Sequence, residues 1–208
     1  MGYSRAGFEV VGVDINPQPH YPFEFHQGDV LELEPEVFDL FDAIHASPPC
    51  QAYSIMRNLT WLKDREYWDS IPPTRELLAQ ARVPWVIENV QGAPLDGIRL
   101  CGQMFDLNWP DGRPIFRHRL FEASWLLLAP PHAKHDRTAT PGPLLGSRQT
   151  RMSGIGGNRL VVNGRTRVGN GAPVGIDWMN SAELSQAIPP AYTEWIGRQL
   201  LAVLERVA

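Results

Sequence analysis

The sequence predicts an α/β fold built on a doubly wound parallel sheet, and three observations carry that prediction. Short apolar runs ending in polar residues recur through the first half of the chain, helical stretches fit between them, and one such stretch has a proline-led start. Strands that alternate with helices favour parallel pairing, because the crossovers cover both faces of the sheet.

The runs are Glu9–Asp14, Phe41–Ala46 and Val83–Asn89, read as buried parallel strands, with Phe23–Asp29 as a fourth that alternates and ends in Gly28-Asp29. Between them, Pro72-Pro73 opens a helix predicted over Thr74–Arg82, since proline at the first helical position forfeits only an N–H that has no partner there. Near the other end, Asn180 with Glu183 three residues on predicts a capping box. Pro189-Pro190 interrupts, and Ala191–Val207 reads as a final helix with Ile196, Leu200 and Leu204 on one stripe.

At 208 residues the chain is too short for two full domains, and 43% hydrophobic with 20% charged residues is enough apolar material for a core. No run of 18 apolar residues occurs, and Asp14, Glu24 and Asp29 stand where a signal peptide would be apolar, so the expectation is a cytoplasmic protein with no membrane partner. Two cysteines, Cys50 and Cys101, cannot make a disulfide framework.

The net charge of −4 hides a segregation. Residues 130–175 carry Lys134, Arg137, Arg148, Arg151, Arg159, Arg165 and Arg167 against Asp136 alone, in a texture of Gly, Pro, Arg and Thr. This segment reads as a small basic insert between a core of residues 1–129 and C-terminal helices in 176–208, with a short ribbon around Arg159–Arg165 turning at Asn163-Gly164.

In a doubly wound sheet ligands bind at the carboxyl ends of the strands, so the polar strand ends are the candidate site. Ser47-Pro48-Pro49-Cys50-Gln51 follows the second run, and two prolines make an extended, stiff loop that holds the Cys50 thiol either as a fixed nucleophile or as an inert packed group. Glu88 ends an apolar strand and must meet a ligand or a basic partner, because an unpaired buried carboxylate is costly. In Phe116–Phe121 strand alternation sends Arg117 and Arg119 to one face, where an anion between them, a pairing with Glu88 or simple solvation would relieve their repulsion. Asp14 and Asp29, at strand ends, suit ribose hydroxyls and an adenine amino group, or plain turn capping. His132 and His135 lack a second pair at zinc-like spacing and read as loop histidines, Cys101 reads as packing, and no metal is expected. Most of the seven tryptophans read as core, with Trp61 and Trp68 in a polar stretch after the Cys50 loop.

Taken in order, Ala6-Gly7-Phe8 through Val13-Asp14-Ile15-Asn16-Pro17, Gly28-Asp29, Ser47-Pro48-Pro49-Cys50-Gln51, Glu88-Asn89-Val90, Arg117-His118-Arg119 and Gln186-Ala187-Ile188-Pro189-Pro190 resemble the cytosine-C5 DNA methyltransferase family, particularly its short phage-type members. The resemblance implies a Rossmann-like methyltransferase sheet and methyl transfer from S-adenosylmethionine to cytosine C5 in double-stranded DNA, with the base flipped out. It further implies a bacterial or phage-infected host cell as the setting. Cys50, Glu88, Arg117 and Arg119 would be catalytic. Asp14, Ile15, Asp29, Val30 and Pro48 would bind the cofactor. Gln51, Ser54, Arg137, Arg148, Arg151, Arg159, Arg165 and Arg167 would contact DNA, the insert serving as target-recognition region. Met1–Phe8 matches the helix that follows the family's first strand and Gly-rich turn, and those two elements have no match here. That leaves three alternatives: a modified sulfonium donor, an RNA or nucleotide acceptor, or a non-catalytic DNA-binding relative. An unrelated thiol enzyme using Cys50 is the remaining reading from another class.

Overall fold

A computed structural model describes residues 1–54, 59–60, 64–109, 111–135, 161–162, 165–166 and 174–206. The chain is a mixed α/β fold with a mixed sheet and few helices. In order come helix α1 (Gly2–Arg5), strands β1 (Val11–Asp14), β2 (Glu24–Gln27) and β3 (Ile44–Ala46), helix α2 (Ile71–Leu78), and strands β4 (Trp85–Asn89), β5 (Ile98–Leu100) and β6 (Arg119–Ala123). The short strands β7 (Val161–Val162) and β8 (Arg165–Thr166) follow, then helices α3 (Ser181–Gln186) and α4 (Pro190–Leu204).

All four predicted strands form, each two or three residues shorter than its apolar run. They do not join one continuous doubly wound sheet among the described residues. β1 and β2 pair in parallel as a two-stranded unit, while β3-β4-β6-β5 make a four-stranded sheet in which β3 and β4 are parallel and β6 runs antiparallel to both β4 and β5. β1 and β3 each have a single paired neighbour and end their sheets.

Helix α2 starts at Ile71, three residues before the predicted start, because Pro72 and Pro73 lie inside its first turn. Arg75 fastens it to the sheet through a two-pronged pairing with Glu122 of β6, Nε and Nη2 each donating at 2.8 Å, with Pro94 O and Asp96 N completing the contact. The predicted capping box is present: the Asn180 side chain accepts from Glu183 N and the Glu183 carboxylate accepts from Asn180 N. The Asn163-Gly164 turn lies outside the described residues, but Val162 pairs with Arg165 across it, as a two-residue hairpin requires.

The main core gathers Val86 of β4, Leu100 of β5, Phe121 of β6 and Tyr192 and Ile196 of α4. A second cluster of Ile115, Val174, Ile176 and Leu184 seats α3. α1 crosses α4 at backbone contact: a Cβ on Gly197 would meet Ala6 Cβ at 2.8 Å, and one on Gly2 would meet Pro190 O at 2.2 Å. Glycine inside a helix costs about 1 kcal/mol relative to alanine, so Gly197 is there for close approach and not for helix stability. Gly197→Leu is therefore expected to destabilise the chain by about 1–3 kcal/mol through overpacking, read as a lowered urea midpoint, while Arg198→Ala on the exposed side changes it little.

Candidate active site at the β3 and β4 strand ends

Parallel pairing of β3 with β4 matches Ala46 to Ile87. Continued by one and two residues, that register brings Ser47 to Glu88 and Pro48 to Asn89. Both contacts are made: Ser47 hydrogen-bonds the Glu88 carboxyl, and Asn89 Nδ2 donates to Pro48 O at 2.8 Å. Asn89 is fully buried, and its Oδ1 also accepts from Val90 N. A buried amide satisfied on both sides fixes the Pro48-Pro49 segment against β4. The chain then turns, Tyr53 N and Ser54 N both donating to Cys50 O, and the Tyr53 hydroxyl bonds Asp69. Cys50 sits half-buried at the head of this turn.

Glu88 is 6% exposed. Burial raises its pKa above the ordinary carboxylate value, and the positive charges of Arg119 and Arg117 pull in the opposite direction. Arg119 Nε stands 2.9 Å from Glu88 Oε1. The N–H is not directed at that oxygen, which is buried without a well-formed hydrogen bond. A carboxyl oxygen left in this condition offers a site for a hydrogen-bonding ligand atom.

The two arginines differ from the sequence expectation. Only Arg119 lies in β6, where it takes the expected pairing with Glu88; Arg117 precedes the strand. Arg117 instead donates from Nε to Ala187 O and from Nη2 to Ser185 O, both at 2.8 Å. Carbonyls at the end of a helix have no partner within it, and Pro189 and Pro190 offer no N–H to take them. The guanidinium fork fills that role and meets the negative end of the helix dipole. Burial, and next the neighbouring Arg119, lower the pKa of Arg117 to about 10, while Glu88, Tyr192 and Cys50 act electrostatically in the other direction. Cys50, Glu88, Arg117 and Arg119 thus share one electrostatic neighbourhood. Tyr192 OH donates to Arg117 O and joins α4 to it.

A hydrogen-bonded chain runs away from Glu88. Ser47 Oγ lies 3.1 Å from His45 Nε2, and His45 Nδ1 lies 2.7 Å from Tyr3 OH. A neutral imidazole suits this chain, one ring nitrogen donating and the other accepting. Burial lowers the His45 pKa to about 4, in agreement with that form.

The remaining predicted residues distribute as follows. Asp14 accepts from Asn16 N at 2.8 Å and Gln18 Nε2 at 3.1 Å, and Asp29 caps a short turn by accepting from Leu31 N. Ile15, directly after β1, and Val30, three residues beyond β2, are left exposed. Pro48 is half-buried, Gln51 is exposed and Ser54 is half-buried. Arg165 lies in β8, whereas Arg137, Arg148, Arg151, Arg159 and Arg167 fall outside the described residues, as does Trp61. His118, between the arginines, joins Cys101, His132 and His135 in a cluster of ligand atoms. Sequence reasoning named no role for Asn89, Ser47 or His45; an asparagine closing an apolar strand was the one visible signal, since a buried amide must bond something.

No family model matches the chain, and no curated protein matches it. Because His45 is held neutral in the fold, the unfolded chain binds more protons between its ordinary value of 6.5 and about 4. Stability is therefore expected to be full above about pH 6.5 and to fall as pH drops towards 4, and His45→Gln should flatten that part of a urea-midpoint profile.

Proposed function

We propose that the chain is a cytosine-C5 methyltransferase of the Rossmann-like class, acting on a flipped-out cytosine in double-stranded DNA. What supports this most is the pairing of Arg119 with Glu88, one of whose oxygens is buried and not hydrogen-bonded, with Arg117 beside them and Cys50 within electrostatic reach of Arg117. The chemistry of the base explains why such a set is useful. Cytosine C5 is a poor nucleophile until a thiolate adds to C6. Cys50, on a loop stiffened by two prolines and tied to Asn89, forms the S–C6 bond, and the C5–C6 electron pair becomes available at C5. Glu88 hydrogen-bonds or protonates N3, where negative charge would otherwise build up, and its raised pKa keeps the protonated form to higher pH than an exposed carboxyl would. Arg119 holds the O2 edge of the ring, and Arg117 supports that group from the α3 terminus. Once C5 carries the methyl group, whose bond to the donor sulfur would break as the C5–methyl bond forms, loss of the C5 proton to a base restores the C5–C6 double bond and expels Cys50.

The ends of β1 and β2 suit the adenosine part of S-adenosylmethionine. Asp14 supplies an acceptor for ribose hydroxyls, Asp29 one for an amino group, and the exposed Ile15 and Val30 supply apolar surface for a flat ring. When bound, the cofactor supplies the electrophilic methyl group. Pro48, in the loop before Cys50, suits a cofactor contact, Gln51 and Ser54 after it suit contacts to DNA, and the arginines of the basic insert suit phosphates.

Duplex DNA containing 5-fluorocytosine tests this reading, because fluorine cannot leave as a proton and the enzyme stays attached. With S-adenosylmethionine present, a covalent protein–DNA adduct is expected, absent in Cys50→Ser. With ordinary DNA, label from the donor methyl should enter cytosine, and Glu88→Gln should reduce the rate about 100- to 10,000-fold. Label in RNA or in dCMP but not in DNA would move the acceptor, and DNA binding without label or adduct would replace the enzyme with a binding protein.

A further inference from the structure

We propose that Cys101, His118, His132 and His135 bind a structural zinc ion. One ligand atom from each residue can be chosen so that all four lie within 4.8 Å of one another. Zinc holds sulfur at about 2.3 Å and imidazole nitrogen at about 2.0–2.1 Å in a tetrahedron, which sets neighbouring donor atoms about 3.3–3.6 Å apart. Two of the separations here are already close to that: His135 Nε2 is 3.3 Å from Cys101 Sγ and 3.0 Å from His132 Nε2. The group is therefore gathered to within small side-chain movements of a coordination shell.

The fold assembles the set from three separate segments. Leu100 pairs with Arg119 in the antiparallel ladder of β5 and β6, so the next residues outward, Cys101 and His118, are cross-strand neighbours. Gly102 N donates to Phe116 O and holds the two strands together just beyond them. His132 and His135 come from the chain that returns after β6, and the His135 ring stacks on Phe116 with centroids 4.0 Å apart and planes 10° from parallel. Burial is graded across the set, from the buried Cys101 to the exposed His132.

Hydrogen bonding alone explains this arrangement poorly. A ring nitrogen carries either one proton or one lone pair, so His135 Nε2 cannot make well-formed bonds of both kinds to Cys101 and to His132. Three imidazoles and a thiol with their polar edges turned inward also repel one another when protonated. A cation at the centre satisfies four lone pairs together. A thiolate with three neutral imidazoles is a borderline-soft donor set that suits zinc better than magnesium or calcium, and four protein ligands leave no position open for a substrate. Bound there, zinc would pin the returning chain to β5 and β6 beside Arg117 and Arg119, and so anchor the base of the basic segment. None of this depends on the proposed reaction.

The test uses the full chain, purified without chelators, with metal content measured by plasma mass spectrometry and the zinc then exchanged for cobalt. One zinc ion per chain is expected. The cobalt form should show the strong visible bands of a tetrahedral site and a thiolate-to-cobalt charge-transfer band. The chain has only two cysteines, so a band that survives Cys50→Ser belongs to Cys101. Cys101→Ser should lose that band, and His132→Ala, at the exposed edge, should lose zinc by dialysis against a chelator far faster than the wild type. Wild-type protein with no stoichiometric metal, a weak octahedral cobalt spectrum, or a charge-transfer band that vanishes in Cys50→Ser would overturn the proposal, and none of these readings requires the Cys101 variant to fold.

Discussion

The parallel register between β3 and β4 governs the geometry of the candidate site. It brings two strand ends to the same level, so the residues just after β3 meet the last two residues of β4: Ser47 reaches Glu88, and Asn89 reaches the Pro48 carbonyl. A slip of one residue would send each of these side chains to the opposite face of the sheet and undo both contacts at once. Prolines then keep the thiol loop extended, and β6, antiparallel on the other side of β4, delivers Arg119 to the same edge. Short-range pairing of strands thus determines the relative positions of groups that are far apart in sequence.

The buried carboxyl of Glu88 is the costly part of this arrangement. Removing a charge from water is expensive, and a single arginine at 2.9 Å without good hydrogen-bond direction repays it incompletely. The raised pKa expresses the same imbalance. Glu122, one residue from Glu88's partner Phe121 in the β4–β6 ladder, shows the contrast. It accepts two directed bonds from Arg75 and a backbone N–H, and hydrogen bonding from Arg75 holds its carboxyl below the ordinary value. Two glutamates in neighbouring strands therefore have opposite characters: one completed and structural, the other left incomplete at a strand end.

Much of this was legible in the sequence, for identifiable reasons. Apolar runs mark β1 to β4 because buried strands need them, and Asn180 with Glu183 marks the start of α3 because a capping box is a local pattern. Cys50, Glu88 and Arg119 were named because cysteine after two prolines, glutamate on an apolar strand and paired arginines are each chemically conspicuous. Pairing was not legible. The division of the strands between two sheets, the role of Arg117 at the end of α3 and the convergence of Cys101 with three histidines all depend on which segments become neighbours. Local composition carries no trace of that. Of the outcomes weighed for Arg117 and Arg119, the pairing with Glu88 is the one Arg119 takes, while β6 begins three residues later than alternation assumed and leaves Arg117 ahead of it.

The crossing of α1 on α4 has a consequence for how the chain reaches its fold. Gly2 and Gly197 bring together the two ends of the described chain, and Tyr192 and Ile196 of the same late helix complete the core around Phe121. Contacts between segments so distant in sequence are slow to form, because the intervening loop must be closed before any contact rewards it. During synthesis the strands emerge long before α4, and until it arrives the part of the core that Tyr192 and Ile196 fill is open. The core around Phe121 is therefore completed only once α4 has been made and has docked on the strands.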